Sequence, residues 1–189
     1  LYAPKLTAPF LKDALSRWPA EQGIGWPSWA FENHDAPRAV SRWAGDIDAH
    51  AYCRMKMLLL ACLRGNIFLY YGEELGLPQV DIAFEDLQDP EAIANWPLTL
   101  SRDGARTPLP WSVDAAEAGF TDGEPWLPLG AENVARAVAA QEGDPASLLH
   151  FTRAMIAATS ADTSASLSRR SSTSAAKSSA KPGSEASSR

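Results

Sequence analysis

Asn33-His34-Asp35 is the densest run of chemistry-bearing side chains in this sequence. A carboxylate with an imidazole beside it can serve catalysis at a strand end, or hold a metal ion. The run closes a short aromatic and apolar stretch, Trp26-Pro-Ser-Trp-Ala-Phe31, and Pro37 follows at once to bar a helix from starting there. Polar groups at the C-terminal end of a buried parallel strand are where a (β/α)8 barrel keeps its chemistry. A carboxylate at a strand tip is also a common loop cap, and the residues alone leave both readings of Asp35 open.

A second acidic cluster, Glu73-Glu74, ends the apolar run Ile67-Phe-Leu-Tyr-Tyr71. With Asp35 on a neighbouring strand it would supply paired carboxylates, the arrangement a glycosidase uses for acid and nucleophile. Residues alone make Asp35 with Glu73 the candidate dyad, against a solvated rim or a supporting role for the Glu pair. Arg102-Asp-Gly-Ala-Arg106 places two guanidinium groups around an Asp-Gly turn, which turn structure and surface ion pairs explain as well as a ligand does. Trp96, Trp111 and Trp126 offer flat apolar faces that suit the C–H faces of sugar rings, or that pin a loop to its core. A His-Asp metal centre of the helical phosphohydrolase kind needs further ligands on helices. The other histidines are His50 and His150, and Pro27 and Pro37 flank the pair, so no metal and no cofactor are expected.

The elements that must position these groups can be read from pattern. Thr7 caps a helix entering through Ala8-Pro9 and running to about Trp18, and Gly23 and Gly25 break the chain before a strand over Trp26–Phe31. Asp46 or Asp48 starts a second helix, carried by Ala51, Tyr52, Met55, Leu58, Leu59, Cys62 and Leu63 and stopped at Gly65. The second strand follows over Ile67–Tyr71. Strand, helix, strand at these lengths predicts a βαβ unit of two parallel neighbours, both ending on one rim. From Leu77 to Pro128 the chain is rich in Pro, Asp, Trp and Gly, as expected of a long functional rim. Short helices are expected over Asn133–Ala139 and from Asp144-Pro145 through Ile156.

Bulk properties narrow the class. The 189 residues carry a net charge of −6, so no basic field is available for nucleic acid or an anionic membrane. Hydrophobic residues make up 46% and include seven Trp, which suits a globular core. Cys53 and Cys62 fall on different sides of one helix, so no disulfide is expected. No leader is visible and no apolar run approaches the ~18 residues a membrane span needs, which makes a cytoplasmic protein the expectation. Past Ala158 the sequence turns to Ser, Ala, Thr, Lys and Arg, with Leu167 its only large aliphatic. Disorder is expected there. The change falls inside an amphipathic helix rather than at a linker, which suggests a frame change in the coding DNA.

Four segments resemble one enzyme family. Phe31-Glu-Asn-His-Asp35-Ala-Pro-Arg38 resembles the F-x-N-H-D-x-P-R signature of α-amylase family glycoside hydrolases, above all the α-glucosidases and oligo-1,6-glucosidases. Gly65 to Gly76 is similar to the family's eighth strand and its Y-Y-G-E-E-[IL]-G exit, and Arg102 to Trp111 to its R-D-G-x-R-T-P-M-x-W segment. Gly119-Phe120 through Glu124-Pro-Trp-Leu-Pro128 resembles the piece that follows, and the likeness runs in order from about Gly25 to Ala157.

The resemblance implies an α/β fold: the last strands and helices of a (β/α)8 barrel over residues 1–157, followed by the disordered tail 158–189. It also implies retaining hydrolysis of α-glucosidic bonds in short oligosaccharides. Asp35 matches the Asp that grips the sugar hydroxyls and stabilises the transition state, and Asn33, His34 and Arg106 match substrate-binding positions. Glu73 becomes a supporting residue. The family's nucleophile Asp and acid Glu are expected before Leu1, which makes the chain a fragment expected to be inactive alone. The α-glucoside is the only partner implied. Glucosyl-transferring and isomerising enzymes share these motifs, and non-catalytic relatives keep the barrel, so both remain alternatives.

Overall fold

Thr7 starts the first helix as its spacing predicts. In this computed structural model, which describes residues 3, 5–18, 25–99 and 101–159, its side chain accepts the Phe10 N–H at the head of α1 (Ala8–Ser16), with Pro9 in the first turn. Gly23 and the tail from 160 onward, for which a chain break and disorder were expected, lie outside the described residues. The chain divides between Arg153 and Ala154, and the site described below belongs wholly to the first unit.

The two expected strands form and pair in parallel, but they are short. β1 (Ser28–Trp29) and β2 (Asn66–Ile67) join through Ser28↔Asn66 and Trp29↔Ile67. Backbone bonds from Asn66 N to Pro27 O and from Phe68 N to Trp29 O extend the ladder. The first strand was expected to be buried. Instead Trp26 is 56% and Phe68 60% exposed. The sheet has two strands among the described residues, so no third strand there covers these rings.

Between the strands lie α2 (Ala39–Trp43) and α3 (Ala49–Cys62), the latter capped by Asp48, whose carboxylate accepts the Ala51 N–H at 2.8 Å. The buried face of α3 differs from the expected apolar stripe. Tyr52, Cys53, Lys56, Met57 and Leu60 point inward, while Met55 and Leu58 stand about half exposed. The helix is rotated by the demand of Lys56, which meets two buried carboxylates. Cys53 is buried and Cys62 exposed, both unpaired, as the helical spacing requires.

Beyond β2 the chain makes a rim rather than a sheet. It carries α4 (Pro90–Asn95), with Asp89 as N-cap and Pro90 at the first position, and tight turns at Asp103–Ala105 and Ala116–Gly119. The helix expected over Asn133–Ala139 is two, α5 (Ala131–Val134) and α6 (Val138–Glu142), because Val138 N bonds instead to Pro110 O and breaks the run. A last helix, α7, covers 148–159. Leu75, Leu77 and Leu149 form one core cluster with Leu109 and Val138 against it, and Ile82, Leu87 and Ala92 form another around Val80. The first joins the chain leaving β2 to Leu109, Val138 and Leu149, and the second lies within the rim.

Candidate functional site

Asn33 begins the site by closing a turn: its side-chain carbonyl accepts the Asp35 N–H at 3.0 Å. That turn carries Asp35 and His34 outward, Asp35 with 39% and His34 with 66% of the side chain exposed. The imidazole Nε2 stands 3.4 Å from Asp35 Oδ2. The other oxygen, Oδ1, faces the turn at 102–106. Arg106 Nη2 approaches it to 3.1 Å, and Arg106 Nε donates to the His34 carbonyl at 2.8 Å. One guanidinium thus reads both the carboxylate and the backbone beside it. Arg102 Nη1 adds a looser contact at 3.7 Å.

The turn that presents these arginines is held by buried acids, not by the surface pairs its composition suggests. Asp103 is fully buried, and its Oδ2 accepts the Gln88 and Asp89 N–H groups, each at 2.7 Å. Asp89 in turn accepts Arg102 Nε at 2.9 Å and the Arg102 backbone N–H at 3.0 Å. Those hydrogen bonds from Arg102 hold the Asp89 carboxyl well below the usual range, and the carboxylate raises the Arg102 guanidinium correspondingly.

Behind Asp35 lies a buried charge network. Glu32 receives Lys56 Nζ at 2.8 Å, Arg38 Nη1 at 3.3 Å and the Ala39 N–H at 3.1 Å. Glu73 receives the same Lys56 Nζ at 2.7 Å and the Tyr70 N–H at 3.0 Å. Burial pushes Glu73 upward even so, and it also opposes the charge on Lys56, which the two carboxylates together nevertheless hold above its ordinary value. Arg38 is wholly buried; it donates to Tyr71 O at 2.6 Å and lies 4.7 and 4.8 Å from the Tyr70 and Tyr71 ring centres. Two buried carboxylates thus face two buried cations, so the groups are matched in number as a buried charge cluster requires.

This network decides between the two readings of Glu73. A carboxylate that is 1% exposed and committed to Lys56 does not form a solvent-facing pair with Asp35. Glu73 supports the site, joining the exit of β2 to that of β1. Arg38 entered only as the last residue of the Phe31–Arg38 signature, and Glu32 and Lys56 were not singled out from sequence; the signal available for Lys56 was a lone lysine inside the run Arg54-Met-Lys-Met-Leu-Leu-Leu60.

Beside Arg106 opens an apolar cavity of about 400 Å³, walled by Tyr71, Leu109, Trp111, Phe120 and Trp126. Two of the three rim tryptophans are therefore brought together next to Arg106. Trp96 is elsewhere, packed on Phe84 with ring centres 5.5 Å apart. No group of three His, Cys, Asp or Glu side chains among the described residues is placed to hold a metal ion. No helix among them is long and apolar enough to cross a membrane.

The model of the α-amylase catalytic domain matches residues 4–166. The chain belongs to this family. An α-amylase catalytic domain is a (β/α)8 barrel, and the parallel β1–β2 pair with helices between its strands is a piece of that architecture. A probable α-glucosidase of Rhizobium meliloti is 48% identical over 134 residues, 70% of this chain and 24% of the relative. An oligo-1,6-glucosidase of Heyndrickxia coagulans is 34% identical over 170 residues, 77% of this chain and 30% of the relative. Among solved structures, an α-glucosyl transfer enzyme superposes with a TM-score of 0.74 at 51% identity, covering 78% of this chain and 28% of that one. A trehalulose synthase does so with 0.63 at 31% identity, over 73% and 28%. The α-amylase domain piece seen here thus spans about a quarter to a third of the length of the relatives it matches.

Proposed function

We propose that the chain is the last part of the barrel of an α-glucosidase-type glycoside hydrolase, over residues 1–157, and that it carries the sugar-gripping side of the active site. The observation that carries this reading is Asp35 held at a strand exit by Arg106 at 3.1 Å, with His34 alongside and all three reachable by solvent. Asp35 is the transition-state stabiliser. Its carboxylate accepts hydrogen bonds from two neighbouring sugar hydroxyls, and these strengthen as the ring flattens and positive charge grows at the anomeric carbon. His34 donates to a hydroxyl of the same sugar, Arg106 closes the pocket at its non-reducing end, and Asn33 holds the turn that presents the other two.

The substrate in this reading is a short α-glucoside, cleaved with retention by the complete enzyme. The names borne by the relatives from Rhizobium meliloti and Heyndrickxia coagulans support it. The nucleophile and the acid are other residues, since Glu73 is buried against Lys56. A glucosyl-transferring or isomerising activity is the second reading, favoured by the two solved relatives named above. Titrating isomaltose into the purified chain while following the His34 ring resonances tests the reading. Weak binding, on the order of millimolar, that Asp35→Asn abolishes supports it; equal binding by Asp35→Asn refutes it. The chain alone should not turn over an aryl α-glucoside, and turnover that follows the main protein peak and is lost in Asp35→Asn would contradict the assignment of nucleophile and acid to other residues.

A further inference from the structure

Arg106 donates to two acceptors on a different loop, yet nothing on its own short turn fixes its peptide groups beyond its N–H bond to Asp103 O at 2.8 Å. The Ala105 N–H is held within the turn by Arg102 O at 3.1 Å, but the carbonyls on either side of Arg106 are held from the exit of β2. The Tyr71 hydroxyl donates toward Thr107 O at 2.8 Å, with Ala105 O at 3.3 Å, and the Tyr70 hydroxyl donates to Ala105 O at 3.1 Å. Ala105 and Thr107 are the residues flanking Arg106. The two phenol rings are themselves oriented: they stand 4.6 Å apart at 60°, beneath the Arg38 guanidinium, which Glu32 and the Tyr71 carbonyl hold.

We propose that Tyr70 and Tyr71 are positioning residues, whose hydroxyls grasp the carbonyls on both sides of Arg106 and so set where its guanidinium meets Asp35. The sequence of contacts runs from Glu32 through Arg38 to the tyrosine rings and from their hydroxyls to the Arg106 backbone. Displacing a guanidinium by a fraction of an ångström spoils a contact that must serve a carboxylate and a carbonyl together. Tyr70 and Tyr71 touch no ligand in this scheme. The assignment deepens the sugar-gripping role given to Arg106, but the geometry it rests on involves no sugar.

The test follows the Arg106 Nε–H directly in the 189-residue chain, labelled at arginine nitrogen, with the resonance identified by its disappearance in Arg106→Lys. This N–H donates to His34 O, so its exchange with water reports how firmly the guanidinium is seated. Tyr71→Phe should speed that exchange roughly fivefold, the equivalent of about 1 kcal/mol for one hydrogen bond, and Tyr70→Phe with Tyr71→Phe should speed it further. The Arg102 Nε–H, seated on Asp89 in the same turn, should keep its rate. An unchanged Arg106 rate in the double variant overturns the proposal. So does a parallel acceleration of Arg102, or loss of the fold, since either means that the hydroxyls stabilise the rim in general. No sugar enters the measurement, so failure of the α-glucosidase reading leaves this result standing, and the reverse also holds.

Discussion

Lys56 is the residue on which the interior behind the site depends. Its ammonium lies within 2.8 Å of Glu32 and 2.7 Å of Glu73, all three nearly inaccessible to water. Removing the cation leaves two buried carboxylates facing each other with Arg38 alone to balance them. Lys56→Ala should therefore lower stability by about 3–5 kcal/mol, the usual penalty for breaking a buried pair. A urea melt showing less than about 1 kcal/mol would mean that water reaches the carboxylates. This residue was invisible to pattern reading for a physical reason. Helical periodicity scores lysine as polar and turns it outward, whereas here two acids distant in sequence pull it in. Asp35 and His34 were legible because they sit together where an apolar run stops. Arg106 and Asp35 are 71 residues apart, and only the family resemblance brought them into one list before their contact was seen.

Among the elements, the β1–β2 pairing hangs on the connection at Gly65. A Cβ there would stand 2.5 Å from Pro27 O and 2.9 Å from Trp29 Nε1, and its φ is +140°. Trp29 Nε1 also donates to Arg64 O at 2.8 Å, and Trp26 Nε1 to Asn66 Oδ1 at 3.1 Å, so both indoles lie against this corner. Gly65→Ala should push the strands apart, seen as loss of amide protection at Asn66 and Phe68; retained protection would show that the corner yields. Asp48→Ala at the head of α3 should lower stability by about 1 kcal/mol through the lost cap, and a thermal melt superimposable on the wild type would contradict that. Both helix starts were legible because Thr7 and Asp48 carry their own caps. The strands were legible in place and direction but not in length, since ladder length depends on neighbours that periodicity does not count. The break between α5 and α6 was not legible at all, because it is caused by a bond to Pro110, distant in sequence.

At the scale of the molecule, acid should unfold the rim through Asp89. Its folded carboxyl is depressed by Arg102 below the ordinary value of 3.8. The stability it contributes is therefore fully present above that value and is lost as pH falls through and below it. Asp89→Asn should be less stable than the wild type at neutral pH and should lose less between neutrality and strong acid; equal slopes for the two proteins would contradict the assignment. The family of the whole chain was legible from four short motifs, whereas the internal bracing of the rim was not, because Asp103 and Asp89 are buried there while the composition of the Asp-Gly turn suggests surface ion pairs. The most direct measurement of the account is a hybrid enzyme. Residues 25–157 replace the matching segment of the Rhizobium meliloti relative, and hydrolysis of an aryl α-glucoside is compared with and without Asp35→Asn. The account predicts an active hybrid in which Asp35→Asn lowers kcat/KM by roughly a hundred- to a thousandfold, the range typical of a group that stabilises charge in the transition state. A folded hybrid without activity, or one indifferent to Asp35→Asn, would contradict it.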